Sequence, residues 1–348
     1  MAGLEEKMMT ELATPADRKA RGKELRRAVP RSSHGDWTPP ADRADPVTVI
    51  TDQNKDRLQF LVPIRHYRMA ESAFTFYRGS AAIMAADLAG TPVTVLTSQL
   101  CGDAHLSNFG SFAMVTREQA FDTNDFDETL PGPWEWDLKR LAASFVLAGR
   151  DNEFDDADTR EATSTAVAGY QNAMAKFTTM ATLDVWYAHL TLQQITDAMP
   201  KKKDRKAAEK SATKARSKDS LRAQRKLAEK VDGNFRIKSD PPVLIPLRDL
   251  PSADNPDELG KEAERSFAEY RSTLADNRKV LLDKYHIVDI GLKVVGVGSV
   301  GTRCLIVLLE ANDDSDPLFL QIKEATDSVL EAHLPKSAYP HHGERVVR

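Results

Sequence analysis

One short stretch constrains this chain more than any other. Residues 101–128, CGDAHLSNFGSFAMVTREQAFDTNDFDE, bring Asp103, Asn108, Asp125 and Asp127 into fewer than thirty positions. Asp103 and Asn108 sit five apart, in a loop after the apolar, strand-like run 93–100. Asp125 and Asp127 follow two more short strand candidates, 112–115 and 120–123. A strand-loop-strand-strand unit gathers the ends of its loops, so these side chains can meet at one point. There one carboxylate can act on a hydroxyl, while an amide oxygen and a second carboxylate offer the hard oxygen donors that Mg²⁺ takes.

A second motif lies far downstream. From Tyr285 the chain reads YHIVDIGLKVVGVGSVGTRCLIVLLEANDDSDPLFLQIKEA, with Gly296, Gly298 and Gly301 spaced as G-x-G-x-x-G. That spacing serves two different folds. In a dinucleotide-binding unit the glycines open a helix, but here CLIVLLE follows, a β-rich run too uniformly apolar for an amphipathic helix. We expect a three-strand meander whose first hairpin carries Gly296, Gly298, Ser299 and Gly301 and offers backbone N–H groups to phosphates. Lys323, 22 residues beyond Gly301, falls near the end of the third strand, where its ammonium can reach back to the α- and β-phosphates of a nucleotide.

With 348 residues the chain can bury a large core and is expected to form two lobes. The net charge of −4 gives no global case for nucleic acid or an anionic membrane. Two cysteines, Cys101 and Cys304, rule out a disulfide framework and fit a reducing cytosol. The charged start MAGLEEKMMTELATPADRKARGKELRR is no secretory signal, and no apolar run approaches the length of a membrane span. The expectation is a soluble, cytoplasmic protein of unknown oligomeric state.

Four segments are expected. Residues 1–48 are a polar helix and an irregular stretch; His34-Gly35-Asp36 within it reads as a turn. Residues 49–240 form a mainly helical catalytic lobe, in which Arg78 could clamp a phosphate or carboxylate or serve a structural ion pair. In it, Leu138, Leu141, Ala142, Phe145 and Ala148 mark one helix face, Asp137 its N-terminal cap and Gly149 its C-cap. Val167, Tyr170, Met174 and Phe177, then Leu183, Trp186 and Leu190, read as core-facing rows. The insertion 201–230 holds thirteen Lys or Arg against four Asp or Glu and no aromatic to stack on a base. It reads as a solvated helix or hairpin, and nucleic acid is not the expected partner. Residues 241–284 read as a proline-rich linker and a long helix, and 285–348 as a β lobe.

Together the two motifs resemble the protein-kinase superfamily, closest in style to aminoglycoside phosphotransferases. There a catalytic-loop Asp precedes a metal-binding Asn by five residues, often as G-D-x-H-x-x-N; Gly102, Asp103, His105 and Asn108 match. Asp125, Phe126 and Asp127 are similar to the D-F-G or D-F-D turn that carries a further metal ligand, and EWDLKRLAASF resembles the helix after it, with Asp137 at the structural acid. The glycine hairpin and Lys323 resemble the phosphate-covering loop and the nucleotide lysine. Those elements precede the catalytic loop in ordinary kinases; here they follow it by roughly two hundred residues, which implies circular permutation. That order, with PRSSHGDW, FYRGS, CGDAHLSNFG and NDFDE, resembles the bacterial domain-of-unknown-function family 2252 from about Arg31 to the end.

The resemblance implies an α+β, protein-kinase-like two-lobed fold with permuted order, truncated at its C-terminus because the chain stops at GERVVR before a full nucleotide lobe. It implies ATP- and Mg²⁺-dependent phosphoryl transfer to an unidentified hydroxyl on a small molecule or protein. Asp103 would act on the acceptor, His105 would set loop geometry, Asn108, Asp125 and Asp127 would hold Mg²⁺, and Lys323 with the glycine turn would bind phosphates. A nucleotide-binding pseudokinase is the alternative, and a metallophosphohydrolase built on Gly-Asp-x-His a third reading. Glu331, eight residues after Lys323, either pairs with that lysine or faces solvent.

Overall fold

Local capping sets the first helices. The computed structural model describes residues 14–216, 220–250, 256–311 and 316–348. Thr14 and Asp17 cap one another reciprocally at the start of α1 (Pro15–Ala28), which buries no side chain. Asp45 caps α2 (Pro46–Gln53), and after α3 (Val62–Ala70) Ser72 caps α4 (Ala73–Arg78), which leads into α5 (Ala81–Ala89). His34 ends a 3₁₀ turn, Arg31–His34, as its turn reading requires.

The first strand of the first motif is shorter than expected, and the next two begin earlier than 112 and 120. β1 (Thr97–Leu100) starts late, because the Thr94 amide donates to the Glu135 carboxylate instead of to a strand, and Val93, Val95 and Leu96 are exposed. β2 (Phe109–Ala113) and β3 (Gln119–Thr123) form an antiparallel hairpin, and β4 (Leu130–Pro133) returns to pair with β1.

The next helix, α6 (Trp134–Asp151), buries Glu135, Trp136, Arg140, Ser144 and Ala148; of the apolar row expected to face the core only Ala148 is buried, and Leu138, Leu141, Ala142 and Phe145 are half-buried. Gly149 is no cap. It lies inside the helix, and a Cβ there would sit 2.5 Å from Thr159 Oγ1 of α7 (Asp156–Phe177). Beyond that contact the expected rows are covered only in part. Val167, Tyr170 and Phe177 of α7 are half-buried, with Tyr170 stacked on Trp134, whereas Met174, Leu183, Trp186 of α8 (Thr182–Trp186) and Leu190 are exposed. Helical spacing defines an apolar face; it does not supply an element to cover it.

β5 (Leu190–Thr191) adds to the free edge of β3 and leads into α9 (Leu192–Ala198). The basic insertion forms α10 (Lys202–Arg216) and α11 (Ser220–Leu227), then the hairpin β6 (Ala228–Val231) and β7 (Asn234–Ile237). Inside the stretch read as a linker, β8 (Leu244–Pro246) is a strand at a sheet edge, the position in which Pro246 is tolerated. After α12 (Pro256–Thr273) and α13 (Asp276–Leu282) come the expected meander strands, β9 (His286–Lys293), β10 (Cys304–Glu310) and β11 (Pro317–Lys323), in antiparallel order β11-β10-β9-β8. Both faces of β10 are covered: Ile306 and Leu308 pack with Ile237 and Leu244, Val307 and Leu309 with Phe267 and Leu282. Burial on two sides is why CLIVLLE lacks polar alternation.

The segment after β11 leaves the sheet. Leu330, in a 3₁₀ turn (Val329–Ala332), packs with Leu88, Leu100, Leu130 and Trp136, and α14 (His342–Val347) follows. The architecture is mixed α+β with several small antiparallel sheets. Among the described residues no helix is long and apolar enough to cross a membrane.

Candidate active site

The loop after β1 is held by the helix after β4. Gly102 has φ +84°, and a Cβ on it would lie 2.2 Å from the Glu128 carbonyl oxygen, so the turn admits glycine alone. The Asp137 carboxylate accepts from the amides of Cys101 (2.7 Å) and Gly102 (3.0 Å). This overturns its reading as a helix cap: α6 begins three residues earlier, after Pro133, and has no side-chain cap. Two turns further on, Ser144 Oγ accepts from the Leu106 amide at 2.9 Å. Asn108 donates its Nδ2 to the Asp103 carbonyl at 2.7 Å, and no hydrogen bond to its Oδ1 occurs among the described residues.

These anchors present the Asp103 side chain to a cleft. Arg140 brings its Nε to 2.6 Å and its Nη2 to 2.5 Å of one carboxylate oxygen. The guanidinium also stacks 4.3 Å from the Tyr77 ring centroid and donates to the Tyr77 carbonyl. Burial pushes Asp103 up to about 6, with the neighbouring Arg140 charge pulling the other way. The other carboxylate oxygen lies 3.8 Å from His105 Nε2. Burial, then the charges of Arg140 and Arg78, pull His105 down to about 3, so its ring is neutral and fills space beside Phe74.

Asp125 and Asp127 enter from the turn after β3, and Lys323 meets them from the end of β11. Its ammonium stands 3.7 Å from Asp125 Oδ2 and 3.1 Å from Asp127 Oδ2. The register pairs Lys323 with Cys304, the first residue of β10 after the glycine loop, which fixes where the lysine emerges. Burial and the Asp127 charge raise Asp125; burial works against the Lys323 ammonium, and the two aspartates outweigh it. The turn is fastened from the C-terminal segment: Arg345 donates to the carbonyls of Asp127, Thr129 and Thr326, and Glu128 accepts from the Val329 amide at 2.7 Å. Burial raises Glu128 to about 7. Glu331 is buried rather than solvent-facing and pairs with Lys336 (3.7 Å) and Arg345 (3.8 Å), not with Lys323.

The glycine loop differs most from expectation. It is no free flap, because Arg68 donates to the Gly296 carbonyl, Arg57 to Val300 and the Leu58 amide to Gly301. Val297 and Val300 are buried in separate clusters that include Met69 and Leu61. Gly298 and Ser299 line the cleft with Asp103, Asp125, Asp127 and Lys323; Gly296, Gly301, Asn108 and His105 are not part of its lining. The cavity, about 110 Å³, is smaller than the roughly 300–1,000 Å³ of pockets that enclose a drug-sized ligand. It has room for phosphate groups and an ion, not for a whole nucleotide.

The donor set suits a hard divalent cation. Asp125 and Asp127 present carboxylate oxygens that already share one positive charge, Lys323, and Asn108 keeps an uncommitted amide oxygen. Sequence reasoning missed Arg140 and Arg345. The stripe Trp136, Arg140, Ser144, Ala148, at spacing four with two polar members, was the available signal for the first; nothing local marks the second.

Fold and site define a mixed α+β protein in which one strand of an antiparallel sheet delivers a lysine to an acidic loop cluster. The chain belongs to the family described as uncharacterized protein conserved in bacteria (DUF2252), which matches residues 57–348. No curated protein and no solved structure matches it.

Proposed function

We propose that this protein is an ATP- and Mg²⁺-dependent phosphotransferase on a circularly permuted, protein-kinase-like scaffold. The observation that carries the reading is the approach of Lys323 to within 3.7 Å of Asp125 and 3.1 Å of Asp127, in the cleft that also holds Asp103. Two motifs nearly two hundred residues apart thus supply the charged parts that phosphoryl transfer uses.

Asp125, Asp127 and the Asn108 amide oxygen would hold Mg²⁺, which when bound neutralises charge on the phosphoryl oxygens. Lys323 would turn from the two aspartates to the phosphates of the nucleotide. Asp103 would take the proton of the acceptor hydroxyl on the oxygen that Arg140 leaves free. The acceptor oxygen then bonds to the γ-phosphorus as the bond from that phosphorus to the ADP oxygen breaks. Arg140 and Asp137 orient this base and its loop. The two buried, unpaired thiols suit the cytoplasm.

A nucleotide-binding module without catalysis is the second reading, favoured by the grip of Arg140 on Asp103, which makes that carboxylate a weaker base. ATP turnover by the full-length protein decides between them. Unchanged turnover in Asp103→Ala and Asp125→Ala would sink the assignment of these residues, and tight ATP binding with no turnover would favour the module.

A further inference from the structure

Three arginines line the cleft that the transfer reading does not use. Arg65 is 1% exposed; its guanidinium donates to Asn54 Oδ1 (2.6 Å), the Gly79 carbonyl (3.0 Å) and Gln53 Oε1 (3.4 Å), all neutral. Arg57 donates to the Val300 carbonyl, and the Arg78 side chain makes no hydrogen bond among the described residues. The buried Nε of each of the three has no partner. None forms an ion pair with a carboxylate among the described residues: Asp103 is held by Arg140, Asp125 and Asp127 by Lys323 and Glu324 by Arg303, while the charges of Glu128 and Glu324 reach Arg57 without an ion-pair contact. Burial pulls Arg65 down to about 9, and the nearby Arg57 charge pushes the same way.

One buried and two half-buried guanidinium groups without an ion-pair partner favour an oxyanion, which their forked donors fit. Ser299 and the Gly79 backbone border the same part of the cleft. The cluster also lies on the side of the base: Arg78 follows Tyr77, whose carbonyl accepts from the Arg140 that grips Asp103, and Arg65 donates to the carbonyl of Gly79, the next residue. An anion seated there therefore sits beside the group that meets the acceptor, while Lys323 and its aspartates serve the nucleotide.

We infer that Arg57, Arg65 and Arg78 form a receptor for a phosphate group carried by the acceptor, so that the acceptor is itself a phosphate monoester. The assignment to the acceptor rests on the phosphotransferase reading; the oxyanion site does not.

The test is calorimetric titration of the full chain with inorganic phosphate at low salt, without nucleotide or metal. Saturable binding is expected, weakened by roughly tenfold or more in Arg78→Met. If Arg78→Met fails to fold, Arg78→Lys, which keeps charge and stem but not the fork, is expected to lose about threefold or more. Equal affinity in wild type and the Arg78 variant overturns the proposal, as does displacement of phosphate by Mg·ADP, which would give the cluster to the nucleotide. Competition by glycerol 3-phosphate supports a soluble ester, and competition by phosphatidic acid vesicles alone supports a lipid headgroup; competition by neither overturns the monoester. Arg78-dependent binding without ATP turnover counts against the transfer reading alone, and turnover without such binding counts against the site alone.

Discussion

Lys323 and Asp127, 196 positions apart in the chain, meet at 3.1 Å. Each side chain is more than a third exposed, at 34% and 41%, so the pair itself contributes only about 0–1 kcal/mol to stability. Its value lies in where it puts a positive charge. Lys323→Met is therefore expected to unfold within about 1 kcal/mol of wild type, while ATP turnover falls by roughly 10²-fold or more. Urea unfolding and steady-state turnover measure the two. A variant that keeps its rate would remove the lysine from the chemistry.

The turn that presents Asp103 tolerates no side chain at Gly102. With φ at +84° and the Glu128 backbone oxygen 2.2 Å from the Cβ position, Gly102→Ala meets both a conformational penalty and a clash with main chain. Backbone cannot swing aside as a flexible side chain can. A loss of about 3 kcal/mol or more is expected in chemical denaturation, with turnover lost as well. A cost below about 1 kcal/mol would show that the 101–108 loop is not strapped to the 125–129 turn as described.

What could be read from the chain, and what could not, follows from the range of each interaction. Asp103, Asp125 and the β9–β11 meander were legible because short spacings and a run such as CLIVLLE report on local geometry. Asp137 was misread because an acid near a helix start has two uses, and only the fold places the Cys101 and Gly102 amides against it. Arg345 was invisible, since its partners Asp127 and Thr129 lie more than two hundred residues away. Trp186 and Leu183 were taken for core because periodicity defines a face and says nothing of what lies opposite. Glu331 went unrecognised for the same reason: burial beside Arg345 is a tertiary fact.

Gly149 separates two accounts of α6 that differ in what residue 159 does. As a left-handed C-cap it would lose about 1 kcal/mol on alanine substitution whatever stands at 159. As the point where α7 crosses, it puts a new Cβ 2.5 Å from Thr159 Oγ1 and 2.9 Å from its Cγ2. Gly149→Ala is expected to destabilise by about 1–3 kcal/mol. Thr159→Ala removes both offending atoms, so the double variant should recover more than half of that loss, as neighbours in contact do not add. Additive costs in a double-mutant cycle would refute the close-approach account.

His105 should leave a signature in the pH dependence of stability. Its side chain is 4% exposed, and burial, aided by Arg140 and Arg78, holds its pKa at about 3 against an ordinary 6.5. The folded pKa is the lower one, so the unfolded chain takes up the proton first as pH falls. The contribution of the neutral ring is thus fully present above pH 6.5 and drains away towards pH 3, at about 1.4 kcal/mol per pH unit. Asp103 and Glu128, raised to about 6 and about 7, act in the opposite sense, but they are common to wild type and His105→Gln and cancel in the comparison. Between pH 6.5 and 4.5 the advantage of wild type over His105→Gln should shrink by roughly 2–3 kcal/mol. Urea unfolding across that range reads the difference, and an advantage that stays constant with pH would mean that His105 is not held neutral.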